Sequence, residues 1–293
     1  MTDTISLLIS NDWQDYELLD SGEGSKLERF GEVRLVRPEA QAIWKKAGPT
    51  HIWQQADADF IPSGEESGGH WVFKNSDPGR WMMHYHGIRF WTQTTPGRHL
   101  GVFPEYAAHW NWMSGLIQRA SGPVKVLNLF GYTGLATLVA AQAGAAVTHV
   151  DASKKSISWA RENQALSNLE EKPIRWILDD ALKFVQREAR RGSKYQGLII
   201  DPPKFGRGPK GEVWEVYKSL PVLLQSCREI LDESALFVIL TVYAVRASAI
   251  HLGAVLEEMM KGLGGTCEIG ELLLREKSAG RLLSNAVFAR WQK

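Results

Sequence analysis

Residues 124–134 read Val124-Lys125-Val126-Leu127-Asn128-Leu129-Phe130-Gly131-Tyr132-Thr133-Gly134. A short apolar run that stops at two glycines is the pattern of a buried strand ending in a tight turn. The residues beyond, 135–143, are rich in alanine and leucine and favour a helix. Glycines let a backbone turn sharply and approach a ligand closely. The helix that follows would present unpaired N–H groups at its start.

The same alternation continues toward the C-terminus. Residues 145–151, 174–178, 198–200 and 236–243 are further strand candidates, and residues 266–275 and 282–291 are the last two, making seven. Helical stretches at 153–168, 181–191, 214–231 and 247–262 separate most of them. Such spacing implies right-handed crossovers and a parallel, Rossmann-like α/β sheet. No helix separates the last two strands, so an antiparallel hairpin is expected there. An open sheet of this kind binds ligands at the carboxyl ends of its first strands.

Upstream the texture changes. Residues 1–112 hold eight of the twelve tryptophans and several turn clusters, among them Asn75-Ser76-Asp77-Pro78-Gly79. The expected organisation is a small Trp-rich antiparallel β domain over 1–95, with one helical piece at 39–46. A connecting helical segment over 96–123 and the α/β domain over 124–293 follow. The β domain is a candidate for substrate recognition or a lid, and its tryptophans for core residues. His84 and His86 share a strand face, but no third ligand is near in sequence, so no metal is expected.

Composition sets the outer limits. The 293 residues carry a net charge of +1, divided as −5 over residues 1–95 and +6 over the remainder. A basic face for nucleic acid would therefore belong to the second part. No apolar run reaches the length of a membrane span. Residues 1–10 are too short, and acidic at Asp3, for a signal peptide. Cys227 and Cys267 form neither a disulfide framework nor a metal pair. The expectation is a reduced, cytoplasmic protein with no membrane partner.

Chemistry gathers at the strand ends. Asp151 closes the second strand 20 residues after Gly131, where a carboxylate can accept hydrogen bonds from both ribose hydroxyls. The full glycine fingerprint of a pyrophosphate site is absent, which favours a nucleoside over a dinucleotide. Asp179-Asp180 follows the third strand. Asp180 is a candidate partner for an adenine amino group and equally a helix N-cap. Asp201-Pro202-Pro203-Lys204-Phe205 follows the fourth. Two prolines remove two N–H donors, leaving the Asp201 carboxylate and the Pro202 carbonyl as acceptors that could align a nitrogen nucleophile. Lys204, Arg207 and Lys210, set among Gly206, Gly208 and Gly211, read as a mobile basic loop that could meet substrate phosphates.

Together these motifs resemble the class I S-adenosylmethionine-dependent methyltransferases, and among them the family of 23S ribosomal RNA cytosine-5 and guanine-7 methyltransferases. The resemblance covers about Thr95 to Lys293. It implies the seven-stranded methyltransferase sheet and S-adenosylmethionine in a pocket lined by Phe130, Gly131, Thr133, Gly134, Asp151, Ala152, Ser153, Asp180 and Asp201. It implies catalysis at Asp201, Pro202, Pro203 and Lys204, and substrate contacts from Lys204, Phe205, Arg207 and Lys210. Gly101-Val102-Phe103-Pro104-Glu105 resembles the family's loop over the cofactor. Its usual RNA-binding accessory domain is not recognisable in residues 1–95. The cytosine-5 members carry a cysteine at the end of the fifth strand, because a cytosine carbon needs covalent activation by a thiolate. Here the segment is Leu240-Thr241-Val242-Tyr243-Ala244, which favours a base nitrogen in RNA as the acceptor. A small molecule or a protein side chain stays open as the alternative, with a non-enzymatic nucleoside-binding module behind both.

Overall fold

The computed structural model describes residues 4–63, 68–243 and 245–293. It divides into two compact units, one of Met1–Leu8, Tyr106–Leu272 and Asn285–Lys293, the other of Ile9–Glu105 and Leu273–Ser284. The first strand, β1 (Ile5–Ile9), is an edge of the large sheet. Gly270 makes this pairing possible, since a Cβ there would collide with the Ser6 backbone carbonyl.

The smaller unit contains β2 (Tyr16–Gly22), β3 (Ser25–Phe30), β4 (Val33–Pro38), α1 (Thr50–Gln54), β5 (Ala58–Pro62), β6 (Gly69–Phe73), β7 (Arg80–Tyr85) and β8 (Ile88–Gln93). A five-stranded sheet runs β2-β3-β4-β5-β6, and β7 and β8 form a separate ribbon. The sheet is not wholly antiparallel, because β4 and β5 pair in parallel. The helix expected at 39–46 is not formed. Glu23 and Gly24 donate N–H bonds to the carbonyls of Trp44 and Ala42, which holds that stretch against the β2–β3 turn. The short helix starts instead behind Pro49, a residue pre-set for a helix entry. The tryptophans are packed rather than displayed: Trp53 is buried with its indole N–H on Asp20, and Trp13, Trp44 and Trp71 donate to Pro104, Ser21 and Thr95. A buried Arg37 clasps Glu28 through two N–H bonds of 2.7 and 2.8 Å.

In the larger unit a 3-10 turn, Pro104–Tyr106, leads into α2 (Ala107–Arg119). Then follow β9 (Lys125–Leu129), α3 (Leu135–Gln142), β10 (Ala146–Asp151), α4 (Lys154–Leu166), β11 (Ile174–Leu178), α5 (Ala181–Arg190) and β12 (Gly197–Ile200). A small hairpin comes next, β13 (Phe205–Arg207) with β14 (Val213–Glu215), and then α6 (Val216–Ile230), β15 (Phe237–Val242), α7 (Ala249–Met260), β16 (Thr266–Arg275) and β17 (Leu282–Gln292). The eight-stranded sheet runs β1-β16-β17-β15-β12-β9-β10-β11. All seven expected strands are present, and β1 is the eighth. The pairs from β15 to β11 are parallel, β15 and β17 pair antiparallel, and β16 and β17 are the terminal hairpin.

Central strands read as continuous apolar runs because both faces are covered. Phe184 of α5, Leu223 of α6 and Leu256 of α7 join Leu198 and Leu240 in one cluster. Each such side chain contributes about 1.5–3 kcal/mol by leaving water. Helices α2, α3 and α4 pack in sequence against one another, α2 onto β15, α3 onto β9 and β10, and α4 onto β10 and β11. The connecting helix, α2, therefore counts with the large unit and not as a separate linker. Helix α6 begins two residues later than its periodicity suggests, because Trp214 is spent on the β13–β14 hairpin.

Candidate functional site

Sheet order reverses at β9: the chain proceeds through β10 and β11 on one side, and through β12 and β15 on the other. Such a reversal opens a crevice at the carboxyl ends of the strands. The candidate residues fall along that edge. Residues 130–134 leave β9, Asp151 closes β10, Asp179 and Asp180 follow β11, and residues 201–205 leave β12.

The turn after β9 is tight and strained. Phe130 and Tyr132 adopt left-handed φ values of 58° and 49°, and Gly134 has φ 83° at the head of α3. For side-chain-bearing residues this costs on the order of 1–3 kcal/mol each and persists only where surroundings enforce it. Gly131 is enforced by contact, since a Cβ there would fall inside the His149 imidazole. His149 is fully buried, with Nδ1 2.9 Å from the Thr137 hydroxyl, which itself accepts from Asn128 Nδ2. Burial lowers the His149 pKa to about 3, so the ring under the turn is neutral. Thr133 is buried, and its carbonyl accepts from the Asn163 side chain of α4.

Asp151 ties this turn to β10. One carboxylate oxygen accepts the Tyr132 N–H at 2.9 Å and the other the Ser153 N–H at 2.8 Å. Burial raises its carboxyl pKa, and the two N–H bonds work against that rise. Each oxygen retains acceptor capacity, as two neighbouring ribose hydroxyls would require. Ala152 is half-buried beside it, and Ser153 caps α4 by accepting from the Ser156 N–H.

Asp180 caps α5, one oxygen accepting the Lys183 N–H at 2.9 Å. Asp179 is engaged by Arg187 at 2.5 Å, and its own N–H bonds the Asp151 carbonyl. The register places Leu178 directly opposite Asp151, and Leu178 is 45% exposed at the strand end. An exposed apolar residue beside a ribose-type carboxylate suits the face of a purine, a signal the sequence pattern did not isolate.

Past β12, Asp201 is half-buried and Pro202 buried. The Tyr106 hydroxyl donates to Asp201 Oδ1 at 2.6 Å. Tyr106 carries no motif and was missed in the sequence, because it lies 95 residues away. The Pro203 carbonyl accepts the Trp214 indole N–H at 2.7 Å, whereas no described residue donates to the Pro202 carbonyl. Trp214 also meets Phe130 with ring centroids 4.8 Å apart, joining the two loops.

The basic stretch after Phe205, read as a loop, begins and ends in paired strands. It forms β13 and β14, closed by the Gly208 N–H on the Glu212 carbonyl and braced to α5 by the 2.7 Å pair of Lys183 and Glu212. Lys204, Phe205, Arg207 and Lys210 are exposed on it. Both thiols lie elsewhere. Cys227 is buried in α6, and burial pushes its pKa far up; Cys267 is half-buried on β16 and raised to about 11 by the same cause. Of the segment where a nucleophilic cysteine would lie, Thr241 on β15 is buried, and Ala244 lies outside the described residues. In the smaller unit His84 and His86 face separate carboxylates, Asp15 at 2.9 Å and Asp12 at 2.7 Å. Residues 101–105 count with that unit, where Glu105 is buried.

No protein-family model matches the sequence. The chain is 33% identical over 148 residues to the ribosomal RNA large subunit methyltransferase K/L of Hahella chejuensis, covering 50% of this chain and 20% of that protein. Similarity to the enzyme of the same name from Methylococcus capsulatus is 32% over 158 residues, covering 54% and 19%. The chain thus spans about a fifth of the length of these curated relatives. The crystal structure of the SAM-dependent methyltransferase from Agrobacterium tumefaciens superposes with a TM-score of 0.94 at 49% identity, covering 100% of this chain and 97% of that one.

Proposed function

Since the chain belongs to the S-adenosylmethionine-dependent methyltransferase family, we propose that its acceptor is a nitrogen of an RNA base, with ribosomal RNA the favoured source. The cofactor is S-adenosylmethionine, and when bound it supplies an electrophilic methyl group on a sulfonium. The crevice fits such a molecule. Gly131 and Gly134 let the turn close down on His149 and Ala160, where a Cβ would collide, and the Asp151 carboxylate keeps acceptor capacity beside the exposed Leu178.

One observation carries the choice of acceptor. Asp201, held by the Tyr106 hydroxyl, and the Pro202 carbonyl bring two acceptors to the exit of β12, with no thiol beside them. Together they would accept hydrogen bonds from an amino or ring N–H and point its lone pair into the crevice. As the nitrogen gains positive charge, the nearby carboxylate stabilises it and provides an outlet for the departing proton. Asp151 would hold the ribose hydroxyls, with Ala152 and Ser153 shaping that wall. Phe130, Thr133 and the two glycines would fix the turn, and Asp180 would meet the adenine amino group. Pro203 and Lys204 would set the exit angle of the loop. Phe205, Arg207 and Lys210 would contact the substrate.

RNA is supported by the similarity of half of this chain to ribosomal RNA methyltransferases. On this reading the smaller β unit recognises substrate or serves as a lid, and the protein works in the cytoplasm. None of the helices among the described residues is long and apolar enough to cross a membrane. Mass spectrometry of RNA nucleosides from cells with and without the gene tests the proposal. One methylated base should vanish in the deletion and return when the purified protein and S-adenosylmethionine are added to that RNA. An unchanged set of methylated nucleosides would reject RNA in favour of a small-molecule or protein acceptor.

A further inference from the structure

Among the described residues, which include every Phe, Tyr and Trp of the chain, only two of those rings are exposed, Phe205 at 55% and Tyr217 at 60%. Both stand at the exit of the Asp201-Pro202-Pro203 segment. Phe205 opens β13 and pairs with Glu215 of β14, two residues before Tyr217 on the first turn of α6. The Val216 N–H bonds the Lys204 carbonyl, so the backbone bond linking the two segments lies between neighbours of the two rings. All the other Phe, Tyr and Trp rings, twelve tryptophans included, are wholly or partly buried. Exposed rings gathered at one place call for a ligand with flat faces.

The surroundings narrow that ligand. Arg207, Lys210 and Arg246 are exposed, and no carboxylate among the described residues forms an ion pair with them. The two acids of this hairpin are already matched, Glu215 with Lys218 at 2.7 Å and Glu212 with Lys183 at 2.7 Å. Tyr217 is also anchored: its hydroxyl accepts the Arg246 N–H at 2.6 Å, which orients the ring while leaving it open to solvent. An aromatic side chain fixed before binding loses less entropy when a partner arrives.

Flat faces together with unmatched cations describe nucleic acid with its bases unstacked. In duplex RNA the bases stack on one another and offer no free face to a side chain. We propose that Phe205 and Tyr217 form a two-ring platform on which an unpaired RNA strand stacks, with Arg207, Lys210 and Arg246 on its phosphates. This rests on the reading of RNA as the acceptor, and it adds that the acceptor is single-stranded and that a base besides the target is gripped. Tyr217 and Arg246 are then binding residues that the Asp201-Pro202-Pro203 motif does not include.

Fluorescence anisotropy tests the platform, using the full chain with S-adenosylhomocysteine and a short fluorescein-labelled RNA of mixed sequence, single-stranded or annealed to its complement. The single strand should bind more tightly than the duplex. Phe205→Ala and Tyr217→Ala should each weaken it by about five- to a hundredfold, the range for one base–aromatic stack, with an unchanged salt slope. Tyr217→Phe keeps the flat face but loses the bond from the Arg246 N–H, so it should weaken binding less than Tyr217→Ala does. Replacing Arg207, Lys210 and Arg246 together by alanine should flatten the salt slope by about two, at roughly 0.7 per phosphate contact. RNA binding that is indifferent to both ring substitutions, or equal for duplex and single strand, overturns the platform alone. Absence of binding to either RNA form overturns the platform and the RNA reading together, and tighter binding of an acidic peptide than of RNA assigns the surface to a protein instead.

Discussion

The Tyr106 phenol donates a 2.6 Å hydrogen bond to Asp201 Oδ1, joining the turn before α2 to the exit of β12. An O–H bond of that length to a carboxylate is charge-assisted and fixes direction as well as distance. Tyr106→Phe removes the bond and keeps the ring. If the carboxylate must be aimed at the acceptor, kcat should fall by about ten- to a hundredfold, the equivalent of roughly 1.5–3 kcal/mol for a bond to a charged group. Cofactor affinity by calorimetry should not move. Unchanged turnover would make the bond a packing feature only.

Asp201→Asn makes the complementary test. The amide preserves shape and the Tyr106 contact but removes the charge that would stabilise a developing cation. The loss should therefore fall mainly on kcat, since that charge matters most as the methyl group moves. An equal loss of cofactor affinity and turnover would reassign Asp201 as a cofactor ligand.

Asp151 has two duties in the structure, pinning the turn through the Tyr132 N–H and capping residue 153. Asp151→Ala should weaken S-adenosylmethionine binding by about 1–3 kcal/mol, the consequence of leaving hydrogen-bond partners unmatched. Calorimetry showing an unaltered dissociation constant would remove the ribose assignment.

Neither cysteine has the environment of a nucleophile. Burial raises both thiols, so the reactive thiolate is scarce near neutral pH. Replacing Cys227 and Cys267 together by alanine should leave turnover intact once an acceptor is in hand. A covalent protein–RNA adduct through either sulfur would restore carbon methylation.

The α/β half was legible because its signals are local. Apolar runs of strand length stop at Gly131, Asp151, Asp179 and Asp201, and parallel pairing then delivers all four ends to one edge. What escaped was non-local. Strand β1 depends on Gly270 leaving room for Ser6, and nothing within residues 5–9 announces that partner. Tyr106 reaches Asp201 only after the sheet has closed. The basic stretch at 204–211 read as a loop because its glycines mask the pairing of residues 205–207 with 213–215. In the smaller unit, residues 39–46 carry a weak helical pattern that the Gly22–Gly24 turn overrides by hydrogen bonding to their carbonyls.

His149 links the cofactor turn to stability against acid. Its ring supports Gly131, is fully buried, and has its pKa lowered by burial from 6.5 to about 3. In the unfolded chain the same imidazole takes up a proton near pH 6.5. Between these two values the unfolded state holds a proton that the folded state lacks, so stability falls as pH falls through that window. The slope from this one group approaches 1.4 kcal/mol per pH unit, and it ends near pH 3, where the folded ring also protonates. His99, lowered to about 4 by burial, and His109, lowered by burial as well, act in the same direction. Substitution His149→Gln should therefore cost stability at neutral pH, by disturbing the Asn128–Thr137 chain and the seat of Gly131, yet make stability less sensitive to acid. Denaturant unfolding across a pH series decides the matter. A variant that loses stability toward acid as steeply as the unmodified protein would show that His149 is not the group being titrated.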